Sequence, residues 1–203
     1  LNIDRNKSAI GHLLEVIDRV SEVCFMPLAI GGGIRSSQEA SKLIERGADK
    51  VVINSICYDN PDVISKVSAR FGRQAVVVAM DVKYIDGNYI LFSDNGVKQQ
   101  DISIEDHIKL VISKGAGEIL VQSIDKDGVM YGFDVSMIKT FSKNATVPII
   151  ACGGAGNYNH LKEVFLETDV SAVACGSIFN FSDSNLVRAK AFLSNYGLQF
   201  KVV

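Results

Sequence analysis

The sequence predicts an α/β protein of the (β/α)8 barrel class, built from two half-barrels. Short apolar runs alternate with amphipathic stretches along the chain, which is typical of parallel strands joined by helices. The chain also repeats itself: Pro27–Gly33 resembles Pro148–Gly154, a shift of 121 residues. A repeat of this length suits two halves of about four βα units each and is too long for a solenoid unit.

Each predicted strand is an apolar or β-branched run bounded by glycine, proline or polar residues. The predicted strands are Leu1–Ile3, Leu28–Ile30, Lys50–Ile53, Ala75–Asp81, Glu118–Gln122, Pro148–Ala151 and Ser171–Cys175. The predicted helices are Ala9–Val23, Ser37–Arg46, Pro61–Phe71, Ser103–Lys114, Val135–Ser142, Tyr158–Leu166 and Asn185–Tyr196. Tyr84–Gly96 interrupts the alternation, and its Asp86-Gly87 turn predicts a β-hairpin on the loop after the Ala75–Asp81 strand.

Bulk composition excludes several classes of function. The 203 residues, 47% hydrophobic and 22% charged, suit a single globular domain. A net charge of -2 without a basic run argues against nucleic acid binding. No apolar run is long enough to cross a membrane and no leader is visible, so we expect a cytoplasmic protein. The four cysteines and three histidines lack metal-ligand spacing, so we expect reduced thiols and no bound metal.

The start of the chain lies inside an apolar, strand-like run and has no methionine. Subtracting the repeat shift from Asp81 (81 − 121 = −40) places its partner strand about 40 residues before Leu1. We therefore expect the first βα unit to precede this chain, with residues 1–74 forming the remnant of one half-barrel and residues 75–203 the other. Because a barrel normally has no sheet edge, we expect the unpaired strands of this chain to favour association or poor solubility. We also expect lower turnover than from a chain with that unit, because residues of the missing first strand are absent from the site.

Glycine, amide and hydroxyl residues end strands at matching places in the two halves. The first set is Gly33, Asn54 and Ser55, and the second is Gly153, Gly154, Gly176 and Ser177. Glycine lets backbone N–H groups approach an anion closely, and a nearby helix N-terminus adds to the attraction. Tight turns between strand and helix are the alternative explanation. The pairing in both halves predicts two phosphate sites on one face, and hence a long substrate with a phosphate at each end.

Two carboxylates are candidates for catalysis. Asp81 closes the nearly continuous apolar run Ala75–Met80 and should emerge at the barrel mouth, where burial can tune a carboxyl group for acid/base work. Its alternative role is to cap the next loop or to pair with Lys83. Asp127 follows a strand of the other half and could orient substrate hydroxyls, although Asp127-Gly128 is also an ordinary turn sequence.

Five strings of the sequence resemble the cyclase subunit of imidazole glycerol phosphate synthase, from histidine biosynthesis: IGGGI, RGADKVVIN, FGRQAVVVAMDVK, KGAGEILVQSIDKDG and PIIACGGAG. The resemblance covers the chain from Leu1 to its end. It implies a barrel subunit that receives ammonia from a glutaminase partner and acts on a phosphoribulosyl-formimino ribotide that carries two phosphates. The products would be imidazole glycerol phosphate and aminoimidazole carboxamide ribotide. No metal or organic cofactor is implied.

The resemblance also assigns roles to residues. Asp81 matches one of two catalytic aspartates, and the other lies on the family's first strand. Gly33, Asn54 and Ser55 match one phosphate site; Asp127, Gly128, Gly153, Gly154, Gly176 and Ser177 match the other site and its surroundings.

The opposite, N-terminal face of the barrel carries two further matches. Lys50 and Glu118 match charged residues that ring the ammonia entrance, and Asp49 and Gln74 match positions where the glutaminase docks. A solvated salt bridge is the alternative for the Asp49/Lys50 pair. The charged pair argues against the related isomerase of the same pathway, which needs no ammonia gate.

Departures from the family pattern leave the ammonia acceptor open. Asn2 replaces an aspartate, while Gln122, Cys152 and Val129 stand where threonine, serine and threonine are common. A paralogous branch that delivers ammonia to a sugar in surface-polysaccharide synthesis is therefore an alternative, since buried polar groups discriminate strongly between substrates. A non-catalytic barrel that only activates a glutaminase is a third. Cys152 is not expected to be a nucleophile, because no histidine follows a strand end to activate it.

Overall fold

The computed structural model describes residues 9–200, so the predicted Leu1–Ile3 strand lies outside the described residues. The strands are β1 (Ala29–Gly31), β2 (Lys50–Ile53), β3 (Val76–Ile85), β4 (Asn88–Ser93), β5 (Lys98–Gln99), β6 (Glu118–Ser123), β7 (Ile149–Cys152) and β8 (Ala172–Ala174). The helices are α1 (Ala9–Ser21), α2 (Ser37–Glu45), α3 (Ile56–Asp59), α4 (Asp62–Phe71), α5 (Ile104–Lys114), α6 (Val135–Asn144), α7 (Tyr158–Glu167), α8 (Ser177–Asn180) and α9 (Leu186–Ser194).

Between residues 9 and 200, the central sheet contains six parallel strands that pair in chain order, β1-β2-β3-β6-β7-β8. Consecutive parallel strands with intervening helices are the βα units of the (β/α)8 class, which confirms the predicted fold class. Within residues 9–200, β1 and β8 each pair on one side only. No helix in this part of the chain is long and apolar enough to cross a membrane.

The predicted hairpin is present. β3 continues past the sheet and pairs antiparallel with β4, and both turn residues have positive φ, 48° at Asp86 and 83° at Gly87. Two successive residues with positive φ form a type I′ turn, whose backbone twist matches that of the two strands that it joins. The hairpin is tied to the loop after β6, because Asp125 accepts a hydrogen bond from the Tyr84 N–H at 2.8 Å. Tyr89 Oη likewise donates to Asp134 Oδ1 at 2.8 Å.

Polar residues at the predicted helix starts fix where several helices begin. Ser36 Oγ accepts the Glu39 N–H at 3.2 Å and so caps α2. Ser103 caps α5 and Asp134 caps α6 in the same way. Each of these side chains replaces a hydrogen-bond partner that the first turn lacks. The caps therefore set the lengths of the loops that precede them, including the loop that carries Asp127.

The alternation of side chains along the strands separates two cores. One face of the sheet packs against the helices through residues such as Val51, Val78 and Val121. On the other, concave face a smaller apolar cluster contains Val52, Val77, Ala79 and Leu120, with Ile150, Cys152 and Ala174 packed against it. Since strand side chains alternate with a period of two, Lys50, Asn54, Asp81, Glu118 and Gln122 project to this concave face as well.

Candidate active site

Asp81 lies at the carboxyl end of the sheet, on the concave face and beyond the apolar residues Val77 and Ala79. Gln122 is its neighbour in register on β6, and Cys152 is the neighbour of Gln122 on β7. The Asn54 side chain, just after β2, hydrogen-bonds to the Asp81 carboxylate. Three consecutive strands and the end of a fourth thus bring polar side chains together at the place where barrel enzymes carry their chemistry.

Burial raises the pKa of Asp81 from 3.8 to about 6, and the negative charge of Asp127 acts in the same direction. The hydrogen bond from Asn54 opposes the rise because it favours the ionised form. A carboxyl group with a pKa near 6 can both accept and return a proton near neutral pH. The alternative in which Asp81 merely pairs with Lys83 is not supported, because the described contacts include no such ion pair.

Asp127 occupies the exposed loop after β6, next to Gly128. Its Oδ2 accepts a hydrogen bond from Gln122 Nε2 at 3.1 Å, which turns the carboxylate toward the concave face. The negative charge of Asp127 raises the pKa values of both Asp81 and Cys152. Asp127 therefore acts electrostatically on the groups at the barrel mouth.

The first predicted phosphate set lies at the carboxyl ends of β1 and β2. Gly33 is exposed in the loop after β1, and Asn54 and Ser55 precede the short helix α3. The Ser55 hydroxyl oxygen accepts a hydrogen bond from the N–H of Asp94, in the turn after β4, at 3.0 Å. Asn54 Oδ1 is buried and has no hydrogen-bond partner among the described residues. These groups face the same edge of the sheet as Asp81.

The second set lies at the carboxyl ends of β7 and β8. Gly176 is exposed and precedes α8, of which Ser177 is the first residue, whereas Ser55 lies one position before α3. Gly153 and Gly154 are buried, and a Cβ at Gly154 would overlap the carbonyl of Gly132. Close packing of two loops explains why Gly153 and Gly154 have no side chain. Gly176 and the adjacent Ser177 are more accessible, so an anion could approach their backbone.

Gly154 also gives a prediction about stability. We expect Gly154→Ala to lower the free energy of unfolding by about 2 kcal/mol or more, because φ is +108° and the new Cβ would meet backbone. Chemical denaturation measures the change. Gly176→Ala is the matched control, since φ is −116° there and no atom lies within 4 Å of the added Cβ. Equal losses in the two variants would contradict this explanation.

Lys50 and Glu118 form an ion pair at the opposite, N-terminal face. Lys50 Nζ lies 2.5 Å from Glu118 Oε1, and the side chains are 30% and 21% exposed. Lys50 begins β2 and Glu118 begins β6, and these two strands flank β3. The ion pair therefore connects β2 to β6 across the N-terminal end of β3. The concave face therefore has a charged end, an apolar middle and a polar end with Asp81.

The predicted docking residues lie on this face too. Asp49 Oδ2 accepts the Leu28 N–H at 2.7 Å and so anchors the loop before β1. Gln74 is exposed and donates to the Phe71 carbonyl at 3.0 Å. The anchored loop exposes three apolar side chains that our sequence analysis missed: Val23 at 73%, Phe25 at 98% and Met26 at 71%. The sequence signal that could have identified them is a cluster of apolar residues in the connection between a helix and a strand.

A buried aromatic pair beside the site was also missed. The rings of Tyr58 on α3 and His107 on α5 are stacked, with centroids 4.2 Å apart and planes 9° apart. His107 is fully buried, and neither its ring nitrogens nor the Tyr58 hydroxyl has a hydrogen-bond partner within residues 9–200. Burial lowers the pKa of His107 to about 4, so the ring is neutral at physiological pH. No group of three or more potential metal ligands occurs in this range.

Comparison with known proteins gives consistent matches. The profile of a family described as histidine biosynthesis protein matches residues 1–185. The imidazole glycerol phosphate synthase subunit HisF of Hyphomonas neptunium (strain ATCC 15444) is 39% identical over 203 residues, which is 100% of this chain and 81% of the relative. The protein of the same name from Thermotoga sp. (strain RQ2) is 41% identical over 190 residues, covering 94% of this chain and 75% of the relative.

Proposed function

Because this chain belongs to the histidine biosynthesis protein family, we propose that it is the ammonia-using cyclase subunit of an imidazole glycerol phosphate synthase. The observation that carries the proposal is Asp81, a carboxyl group with a pKa of about 6 at the mouth of the sheet. It lies between the two sets of strand-end groups expected to hold phosphates. This arrangement suits a substrate that is held at both ends while its centre reacts.

The concave face suggests how ammonia reaches Asp81. Between Lys50–Glu118 and Asp81 the wall consists of apolar side chains, including Val52, Val77 and Leu120. Ammonium would have to give up its hydration there, whereas neutral ammonia loses less. In the proposed reaction the Lys50–Glu118 pair admits ammonia, which adds to the ketose carbonyl of the substrate. Asp81 then exchanges protons during imine formation and ring closure.

Glutaminase is the proposed partner, seated on the N-terminal face. A glutaminase docked there would release ammonia at the charged pair, and the exposed Val23, Phe25 and Met26 offer it an apolar contact next to Asp49 and Gln74. We also propose a cytoplasmic location, which four free cysteines support, since thiols persist in a reducing compartment.

An assay without the partner tests the reaction itself. The purified protein is mixed with the bisphosphorylated substrate and an ammonium salt at alkaline pH, and aminoimidazole carboxamide ribotide is quantified by chromatography. We expect product formation that depends on both protein and ammonium. No product above the protein-free control would contradict the cyclase proposal. Transfer of ammonia to a sugar would instead favour the polysaccharide paralog, an alternative that the departures at Gln122 and Cys152 leave open.

The docking proposal predicts that Phe25→Asp weakens the glutaminase complex by at least about tenfold, because a fully exposed aromatic side chain is a typical anchor of an interface. Isothermal titration calorimetry with the purified glutaminase measures the dissociation constant. Phe181→Asp is the matched control: Phe181 is 78% exposed but follows α8 at the other end of the sheet. Equal effects of the two substitutions would place the partner elsewhere.

A further inference from the structure

Gln122 occupies a central place among the polar groups of the mouth. It stands on β6 between Asp81 of β3 and Cys152 of β7, in register with both. Its side chain is half-buried and projects to the concave face. The one hydrogen bond described for its carboxamide joins Nε2 to Asp127 Oδ2 at 3.1 Å.

Asp127 needs such a contact if its carboxylate is to face the mouth. It lies in an exposed loop, where a free carboxylate would point to water. The backbone beneath it is already confined, because the Asp127 N–H lies 3.5 Å from the position that a Cβ on Gly153 would take. The loop backbone is therefore placed by packing on Gly153, while the direction of the side chain depends on Gln122.

We propose that Gln122 is a positioning residue that holds the Asp127 carboxylate over the barrel mouth, on the side that faces Asp81. This inference deepens the proposed function, because Asp127 is expected to orient substrate hydroxyls. Gln122 itself has no proton to exchange. It acts through Asp127 and changes the chemistry of the mouth by fixing where that negative charge lies.

Other ionisable groups around Asp81 could also change its titration, so a test of the proposal must account for them. Asp127 faces it from the loop after β6, Tyr58 from α3 and Cys152 from β7. Asn54, at the end of β2, is uncharged and hydrogen-bonded to it. Tyr58 and Cys152 have pKa values raised by burial and stay neutral near pH 6. A change in the titration of Asp81 near this pH therefore reports mainly on the charge at Asp127.

The proposal predicts opposite effects of two substitutions at Gln122. In Gln122→Met the Asp127 carboxylate is released toward water, so the acid dissociation constant of Asp81 should increase, by about threefold. In Gln122→Glu a new negative charge stands beside Asp81 in register, so the constant should decrease by at least as much. Carboxyl carbon NMR of the purified protein, titrated without substrate, measures both.

A double variant shows whether Gln122 acts through Asp127. Asp127→Asn alone should increase the Asp81 constant as Gln122→Met does, and the double variant should match Asp127→Asn without further change. Gln100→Met is the control, because Gln100 is also half-buried and hydrogen-bonded, through Nε2 to Ser93 Oγ at 2.8 Å, yet it does not touch Asp127. It should leave the titration unchanged.

Several outcomes would overturn the inference. An unchanged titration in Gln122→Met, shifts of the same sign in Gln122→Met and Gln122→Glu, or additive effects in the double variant would each contradict it. If Gln122→Met does not fold, Gln122→Ala also removes the hydrogen bond to Asp127 and should increase the constant in the same way. The titration needs no substrate, so it tests this inference independently of the cyclase proposal. If the wild-type protein showed no turnover, the cyclase proposal would be contradicted, and the NMR result alone would decide this inference.

Discussion

Replacing Asp81 with asparagine should lower ammonia-dependent turnover by about 10²–10⁴-fold with little loss of substrate binding. Asparagine keeps the size of the side chain but cannot accept and return a proton. A steady-state assay that separates kcat from KM tests this expectation. Asp86→Asn is the matched control, since Asp86 lies in the hairpin turn with a φ of 48° that asparagine tolerates. Equal activity of Asp81→Asn and the wild type would reassign Asp81 to structure.

The same residue predicts a pH profile. With a pKa of about 6, Asp81 is mainly ionised at neutral pH and is ready to accept a proton. The ratio kcat/KM should therefore fall as the pH decreases through about 6, and this limb should be missing from the residual activity of Asp81→Asn. A profile that is flat from neutral pH down to 5 would contradict the assignment of Asp81 as the base.

Stability should change in the opposite direction from activity. The pKa of Asp81 is raised in the folded state, so the folded protein binds this proton more tightly than the unfolded chain does. Stability is then lost as the pH rises from 3.8 through about 6. At neutral pH the cost is about 3 kcal/mol at most, and less because the group keeps some contact with water. Asp81→Asn should therefore be much less active yet more resistant to denaturant, which separates lost chemistry from lost folding.

His107 predicts the second large effect, a loss of stability in acid. Its folded pKa is about 4, against 6.5 for an unburied imidazole, so the unfolded chain takes up this proton first. The contribution of His107 to stability should fall by up to about 3 kcal/mol as the pH decreases from 6.5 through 4. It opposes the contribution of Asp81 over the same range, so it is measured as the difference between variant and wild type. His107→Phe keeps an aromatic ring against Tyr58 and removes two unpaired nitrogens. At pH 5 it should gain about 2 kcal/mol in free energy of unfolding.

Urea denaturation at several pH values measures this contribution. Tyr58→Phe is a suitable control, because it preserves the stack and removes an unpartnered hydroxyl while His107 still titrates. It should keep the wild-type dependence of stability on pH, whereas the stability of His107→Phe relative to the wild type should increase as the pH decreases from 6.5 through 4. If both variants keep the wild-type slope, the acid sensitivity arises from other groups.

The predictable parts of this structure are those set by local sequence. The β2 strand was predicted to the residue, and the hairpin followed from the Asp86-Gly87 turn, because strand periodicity and turn chemistry act over a few residues. The predicted β3 ended four residues early, at Asp81 instead of Ile85. A polar residue ends an apolar run in the sequence, but here the strand continues into the hairpin.

Features that depend on distant contacts were not predicted. The short helices α3 and α8 are absent from the predicted helices, since four residues carry too little periodicity to be recognised. The stack of Tyr58 on His107 joins residues 49 positions apart in the sequence. The apolar pattern of α5 alone predicts only that residue 107 is buried. The Gln122–Asp127 hydrogen bond depends on the course of a loop, which composition does not determine.

The alternation of side chains along β2 constrains how proteins of this kind can vary in length. Lys50, Val52 and Asn54 form one column on the concave face, whereas Val51 and Ile53 face the helices. Deleting one residue within the strand would reverse the facing of all residues on one side of the deletion and so place either the lysine or the amide in the packed core. Insertions and deletions should therefore be confined to the connections between strands, whereas single replacements at Lys50 or Asn54 could retune the charged and the reactive end separately.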